Sequence, residues 1–306
     1  MTLAIVLTVF ASFLWGITNH IDKILINTVD ESGSSLKTLL VFSTLVSGIV
    51  LSPLWLFFSK FSINITTISL ICVLLSSFLY ILATYFYFIA LEKNDTSIVV
   101  VMFQLIPVFS YIFELLFLKE NLTTKQIIGS IIVILSAVLI SFDFEEKNNK
   151  NKLLALFFMT LSSLTFSLYY FLFDLGIRNS PYNSCAFWFQ IGFLLLGIIF
   201  ISIKSFRTSF INALKNNGKM YFSLNLTNEI INLIAILLVN YSNIIIPLAL
   251  VNVLNGFQGA FVFIIGILGM KLLPKYIEEN IEKKVVVQKI SCILISIIGL
   301  IVMFIN

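Results

Sequence analysis

Long apolar runs constrain this chain more than any other feature. We count ten runs of about the length that a helix needs to cross the roughly 30 Å hydrocarbon core of a bilayer, about 20 residues. Inside a bilayer every backbone polar group must find a partner in the protein, which favours helices. The sequence therefore predicts an all-α polytopic membrane protein with ten transmembrane helices. The predicted spans are 3–24, 38–59, 67–91, 96–118, 124–143, 153–176, 183–203, 218–240, 244–269 and 286–305.

Composition excludes the main alternatives to a membrane protein. The chain of 306 residues is 59% hydrophobic and 11% charged, and its mean hydropathy is +1.05. The connections between the runs leave no room for a soluble domain. Its basic residues form no clustered surface, so we expect the lipid bilayer, and no nucleic acid, as a partner. The first run lacks a basic leading segment, so we interpret it as a spanning helix rather than a cleaved signal peptide.

Nothing in the sequence points to a metal, a cofactor or catalysis. Cys72, Cys185 and Cys292 all fall inside apolar runs, and His20 is the chain's single histidine. Such scattered residues form neither a disulfide framework nor a metal site. We also find no glycine-rich phosphate loop and no nucleophile–base pair. We therefore expect no metal, no cofactor and no enzymatic activity.

The chain divides near its midpoint. The polar stretch "DFEEKNNKNK" at 143–152 separates five predicted helices from five others, which gives repeats at 1–145 and 153–306 with a linker at 146–152. The closing helices, "QIIGSIIVILSAVLISF" from 126 and "QKISCILISIIGLIVMF" from 288, resemble each other. An odd number of helices per repeat inverts the second copy in the membrane, as in many transporters. Chance similarity between apolar helices is the alternative.

Two charged segments lie between the predicted spans. In 271–284, Leu273, Ile277 and Ile281 recur every four residues among glutamates and lysines. This pattern favours an interfacial amphipathic helix, and a solvated charged loop is the alternative. The segment 204–219 is basic, and its phenylalanines suggest contact with a lipid surface.

The eighth predicted span carries a polar stripe centred on a carboxylate. Asn225, Asn228 and Asn232 lie four and one residues before Glu229 and three after it, so that Asn225, Glu229 and Asn232 share one helical face. An ionisable group inside a membrane is costly and usually faces a cavity or the bundle interior. We interpret the stripe as a site for proton coupling or cation recognition. A polar clamp between neighbouring helices is the alternative.

Other polar and aromatic residues of the predicted spans are weaker candidates. Each has packing or helix contact as its alternative, and Pro107 would kink its helix and act in gating. The candidates for lining a substrate cavity are Asn252, Asn255 and Gln258 in the ninth span, Trp15 and Asn19 in the first, Gln104 in the fourth, and the deeply placed Tyr80 and Tyr169.

Several short motifs resemble a known family. The first predicted helix has "FLWGITNHIDK", with Trp15, Gly16 and Lys23. The third and fourth have Ala90 in their turn and Pro107 in mid-helix, followed by Glu120, Leu122, Thr123 and Gly129. The chain resembles the EamA-like transporters of the drug/metabolite transporter superfamily. The second half departs from the pattern, because Phe257 stands where a proline recurs and "LPKYIEENIEKK" replaces the Glu-Leu-Thr motif.

The resemblance implies ten helices in two inverted five-helix repeats around a central cavity. It also implies transport of a small solute, usually export, in the plasma (inner) membrane of a prokaryote. It places both termini in the cytoplasm, whereas the distribution of lysine and arginine over the loops favours external termini.

The leading hypothesis is a secondary transporter for a small amino acid-like, polar or amphipathic metabolite. It would work by alternating access and could be driven by a proton or another ion. An importer or exchanger of the same fold is a second hypothesis, and a lipid flippase or membrane enzyme is a third. The sequence does not distinguish a monomer from a homodimer.

Overall fold

A computed structural model describes residues 1–28, 34–118, 123–140, 149–246, 251, 254–274, 276–277 and 279–304. Over these ranges the chain forms helices and connections without a strand. The first α-helices are α1 (Thr2–Thr28), α2 (Ser34–Val46), α3 (Ser52–Phe58), α4 (Thr67–Glu92), α5 (Thr96–Val101) and α6 (Leu105–Phe113). They are followed by α7 (Thr124–Ile140), α8 (Asn149–Ile177), α9 (Tyr182–Ser202), α10 (Lys204–Ile245), α11 (Gln258–Leu272) and α12 (Lys283–Phe304).

Eight helical stretches among the described residues are long and apolar enough to cross a membrane, which confirms the predicted class of all-helical membrane protein. They are Thr2–Thr28, Ser35–Phe58, Thr67–Glu92, Thr96–Phe117, Lys150–Ile177, Tyr182–Ser202, Gly218–Val239 and Lys283–Met303. The predicted spans 124–143 and 244–269 correspond to the shorter apolar helices α7 and α11, of 17 and 15 residues. The predicted start at 244 is wrong, because α10 continues to Ile245.

Two of the long stretches contain irregular turns next to a proline. A π turn, Ser47–Leu51, joins α2 to α3 just before Pro53. A 3₁₀ turn, Met102–Gln104, joins α5 to α6 just before Pro107. Proline lacks the N–H that would bond to the carbonyl four residues earlier, so the helical ladder changes its pattern at these points.

Helix α10 is broken at Gly218, whose φ of 42° and ψ of −127° are not helical. Positive φ at this ψ suits glycine, which has no Cβ. The break separates a basic helix, residues 204–217, from the membrane span Gly218–Val239. The basic segment singled out in the sequence is therefore itself helical.

The connection between α11 and α12 corrects the first interpretation of 271–284 and agrees in large part with the second. Its described residues between Leu273 and Glu282 are not helical, so the predicted amphipathic helix is wrong. Most described residues of the connection are exposed, as a solvated loop predicts, but Ile277 is 7% exposed and Glu279 is 6% exposed. Two glycines of α11 make room for them: a Cβ on Gly269 would lie 2.5 Å from Ile277, and one on Gly266 2.6 Å from Glu279.

The described chain forms two compact units. Unit 1 comprises Met1–Ile24, Tyr87–Ser163 and Ile230–Asn306, and unit 2 comprises Leu25–Phe86 and Leu164–Glu229. In unit 1, α7 packs against α12, where Ser136 Oγ donates to the carbonyl of Cys292 at 2.7 Å. In unit 2, α9 packs closely on its neighbours at glycines, since a Cβ on Gly192 would meet the Ser77 side chain at 2.0 Å.

Candidate functional site

The carboxylate predicted at the centre of the polar stripe is held by serines in unit 2. Ser47 Oγ donates to Glu229 Oε2 at 2.7 Å, and Ser43 is a second hydrogen-bonding partner. Ser47 is 3% exposed and opens the π turn of the second span. A hydroxyl can donate to a carboxylate or accept from a carboxylic acid. The pair can therefore accommodate Glu229 both with and without a proton.

Asn225 and Asn228, the two amide side chains that precede Glu229 in α10, offer little exposed surface to a ligand. Asn225 is 3% exposed, and its Nδ2 donates to the carbonyl of Tyr221 in the preceding turn of α10 at 2.9 Å. Asn228 is half-buried beside it. The amide nitrogen of Asn225 thus bonds to its own helix, as polar side chains in spanning helices often do.

Tyr80 and Tyr169, predicted separately, come together in unit 2. Their ring centroids are 5.3 Å apart in an edge-to-face arrangement. Phe189 lies within 6.0 Å of Tyr80 and 5.5 Å of Tyr169, and Phe193 lies 5.2 Å from Tyr80. The rings thus pack mainly against one another, which is a favourable use of aromatic edges and faces.

The remaining member of the stripe, Asn232, has its partner in unit 1. Trp15 Nε1 donates to Asn232 Oδ1 at 3.0 Å. This bond pairs two predicted candidates that are far apart in the sequence. The predicted polar stripe is therefore divided between the units. Asn232 bonds to Trp15 within unit 1, whereas Glu229 bonds to Ser47 and Ser43 within unit 2.

Asn19 belongs to a second polar group in unit 1, with Tyr87 and Asp22. The Tyr87 hydroxyl lies 3.2 Å from Asn19 Oδ1 and 3.2 Å from Asp22 Oδ2. One hydroxyl hydrogen serves one acceptor, and Asn19 Nδ2 is buried without a hydrogen-bond partner among the described residues. Turning the amide over lets Nδ2 donate to Tyr87 while Tyr87 donates to Asp22, so that both of these donors have an acceptor.

The other candidates also lie in unit 1. Ser12 Oγ lies 3.3 Å from Asn255 Oδ1 and can donate to it, while Gln258 is half-buried at the start of α11. Gln104 is 8% exposed within the 3₁₀ turn before Pro107. Asn252 lies outside the described residues.

The residues that carry the family resemblance in α1 have structural contacts. Lys23 Nζ donates to the carbonyls of Leu91 and Glu92 at 2.6 and 2.9 Å. These carbonyls end α4 and lack partners within the helix, and a cation is favoured at that end. A Cβ on Gly16 would lie 3.0 Å from Ile265 of α11, so the glycine allows close packing of α1 and α11.

Sequence reasoning missed a buried ion triad in unit 1. Lys289 is 1% exposed in α12, and its Nζ lies 2.5 Å from Asp95 Oδ2 and 2.6 Å from Glu279 Oε2. Ser97 donates to Glu279 through its backbone N–H at 3.2 Å and its hydroxyl at 2.8 Å. Asn280 N–H donates to Asp95 Oδ2 at 3.1 Å. The triad thus ties the α11–α12 connection to α5 and α12.

The surroundings of Glu279 oppose its ionisation in one respect and favour it in another. Burial raises the pKa of the Glu279 carboxyl, and the ammonium of Lys289 acts in the opposite direction. Beside the triad is a cavity of about 470 Å³ lined by Asp95, Met270, Pro274, Ile277, Glu279 and Asn280.

One signal in the sequence could have revealed the triad. Lys289 stands within the last apolar span, where an unpaired ammonium is costly and a carboxylate partner is expected. The partners Asp95 and Glu279 could not be chosen from spacing, because they lie 194 and 10 residues away. Ser47 gave no signal, since serine is common in spanning helices.

The first half of the chain matches a known family. Residues 2–142 fit the model of the EamA-like transporter family. The family is part of the drug/metabolite transporter superfamily, and it implies a membrane transporter of that type. The resemblance found in the sequence is thereby confirmed.

The other comparisons add little to the EamA-like match. No curated protein matches the sequence. A solved structure titled "Crystal structure of protein" aligns over 98% of this chain and 96% of its own, with a TM-score of 0.49 and 13% identity.

Proposed function

We propose that this protein is a proton-coupled secondary transporter that exports a small amino acid-like, polar or amphipathic metabolite. The observation that carries the proposal is the pairing of Glu229 with the serine that opens the π turn, at 2.7 Å. A carboxyl group in a membrane span is energetically costly, so it usually has a hydrogen-bonding partner and a functional role. Hydroxyl partners suit both of its protonation states, as a coupling residue requires.

The transport proposal draws on the EamA-like match of residues 2–142. We place the protein in the plasma membrane of a prokaryote, as the resemblance implies. Export is the usual direction in this family. Measurements in right-side-out and inside-out vesicles test the direction, and faster accumulation in right-side-out vesicles would favour import instead.

Packing in unit 1 supports inverted five-helix repeats. The closing helices of the two halves, α7 and α12, run antiparallel. Gly129 near the start of α7 lies against Met303 near the end of α12, and the Leu139 carbonyl at the end of α7 accepts from Gln288 Nε2 near the start of α12 at 2.8 Å. Repeats related by inversion would place equivalent helices in opposite directions.

The division into two compact units also supports the structural equivalence of the two halves of the chain. Unit boundaries fall within α1 and α4 in the first half and within α8 and α10 in the second. These are the first and third predicted spans of each half. We propose that such repeats alternate access to the substrate, with the proline-associated turn around Gln104 and Pro107 acting in gating.

Transport into proteoliposomes tests the role of Glu229. Purified protein is reconstituted with an imposed pH gradient, and a panel of radiolabelled amino acids and related metabolites is screened for uptake. We expect Glu229→Gln to abolish acceleration by the gradient, because the amide cannot exchange a proton. Ser47→Ala should lower the rate roughly tenfold, since a hydrogen bond to a charged group contributes about 1.5–3 kcal/mol.

Asp174→Asn is the matched control. Asp174 also lies in unit 2, but it forms an exposed pair with Arg178, so transport should be unchanged. Wild-type transport and pH dependence in Glu229→Gln would remove Glu229 from the mechanism.

A further inference from the structure

The basic helix, residues 204–217 at the start of α10, has two different faces. One face packs within unit 2: Phe206 stacks on Phe200 with centroids 4.9 Å apart, Phe210 lies 6.0 Å from Phe42, and Ala213 is 3% exposed. Lys37 Nζ also donates to Ser205 Oγ at 2.9 Å. These contacts hold the helix in one orientation.

The opposite face is a stripe of cations. Lys204, Arg207, Ile211 and Lys215 follow one another at intervals of three and four residues and are all exposed, so they share one side of the helix. Ile211 is 41% exposed between the charged residues. Lys219, just beyond the break at Gly218, adds a further exposed cation.

The positive charge of this stripe is not balanced within the described structure. The sequence has no aspartate or glutamate between Asp174 and Glu229. Over the described ranges, none of these four basic side chains has an ion pair. The stripe therefore presents a concentrated positive potential to whatever lies outside it.

The ends of the basic helix locate it at the membrane boundary. The preceding span ends at Ser202 and the next begins at Gly218. Two consecutive spans leave a bilayer on the same side, so both ends of the helix lie near the same interface. The helix is about 14 residues or roughly 21 Å long, and the non-helical backbone of Gly218 turns the chain from it into the span.

We propose that the cationic stripe binds the headgroups of anionic phospholipids. Its lysines would attract phosphodiester oxygens electrostatically, while Arg207 can bind two of them at once. Ile211 would contact the apolar region beneath the headgroups. This surface is separate from Glu229 and does not depend on the proposed transport function.

Lipid binding to the full-length protein tests the proposal. Binding of phosphatidylglycerol and phosphatidylcholine is measured by lipid titration of the purified protein in neutral micelles, with native mass spectrometry as the readout. The wild type should prefer phosphatidylglycerol, and added salt should weaken the preference. The triple variant Lys204→Gln, Arg207→Gln and Lys215→Gln should lose about a hundredfold of that preference.

Two further variants separate charge from folding. Lys204→Arg, Arg207→Lys and Lys215→Arg preserve the charge and should keep the preference. Lys60→Gln, Lys125→Gln and Lys150→Gln remove three other exposed cations and should also keep it. Loss of the preference in either variant, or its absence in the wild type, would overturn the proposal.

A soluble phosphate tests whether a lipid is needed. Glycerol phosphate carries the same phosphate chemistry without acyl chains. We expect it not to displace phosphatidylglycerol at millimolar concentration, because the stripe lies at the interface and Ile211 contributes apolar contact. Displacement by glycerol phosphate at the concentration of the lipid would instead assign the stripe to free phosphates and refute lipid recognition.

Discussion

At the scale of single residues, Lys289 depends on two ion-pair partners that its own stretch of sequence does not indicate. Its ammonium is 1% exposed and contacts two carboxylates, Asp95 and Glu279. Taking a charge out of water is expensive, and the contacts with opposite charges offset that expense only while the geometry is complete. Removing the lysine would leave two carboxylates close together.

We expect Lys289→Met to destabilise the protein by about 3–5 kcal/mol, the usual cost of breaking a buried ion pair. Glu279→Gln should cost less, because Asp95 still pairs with the lysine. The double variant should be less destabilised than the sum of the two, since the residues interact. Unfolding in mixed detergent micelles, followed by circular dichroism, gives the three free energies.

An exposed ion pair is the control for this prediction. Arg178 and Asp174 lie 2.7 Å apart with side chains 52% and 50% exposed. Arg178→Gln should change the free energy of unfolding by no more than about 1 kcal/mol, because water screens exposed pairs. Equal losses in Lys289→Met and Arg178→Gln would show that the triad contributes little.

At the scale of helices, small residues set how closely neighbouring spans can approach. Gly129 of α7 faces the backbone of α12, where a Cβ would lie 2.6 Å from the Gly299 carbonyl oxygen. Helices in lipid associate through such close packing, because lipid tails provide no hydrophobic drive between them. The pair of closing helices therefore depends on these glycines.

Gly129→Ala should destabilise the protein by about 1–3 kcal/mol, since the added methyl group must push α7 and α12 apart. Thermal unfolding in detergent measures the loss. Gly259→Ala is the matched control, because its Cβ would lie 3.3 Å from the Val101 side chain, which can adjust. A smaller loss at Gly129 than at Gly259 would refute close packing at this contact.

At the scale of the whole molecule, the number of membrane crossings depends on α7. Its 17 described residues, Thr124–Ile140, extend roughly 25 Å, close to the ~30 Å hydrocarbon core. A bilayer can thin locally at modest cost to accommodate a short span. We therefore expect α7 to cross and to complete five spans in the first half.

A tag inserted in the linker at 146–152 should lie on the opposite side of the membrane from an N-terminal tag, because five crossings separate them. Protease accessibility in sealed vesicles of known orientation measures this. A C-terminal tag is the control and should share the side of the N-terminal tag, since ten crossings return the chain to it. If the N-terminal tag and the linker tag lay on the same side, the first half would cross the membrane four times, which would rule out inverted repeats.

The sequence alone was sufficient for the class of the protein and for the family resemblance of residues 2–142. Ten apolar runs predict a helical membrane protein because hydrocarbon leaves few other structures open to a backbone, and short motifs such as Trp15-Gly16 led to the EamA-like transporters. The predicted spans mostly agree with the helices. The sequence also predicted Glu229 as a candidate site residue, because a carboxylate in an apolar run is unusual.

Only the tertiary structure decided which residues act together. It assigned Ser47 to Glu229, 182 residues away, and Asn232 to Trp15, 217 residues away. It also folded the charged connection after α11 inward, because the glycines Gly266 and Gly269 leave space for Glu279 and Ile277. Hydrophobic periodicity indicates which face of a segment contacts lipid or water. The pairing of buried polar groups depends instead on the geometry between segments that are distant in the sequence, which no local pattern contains.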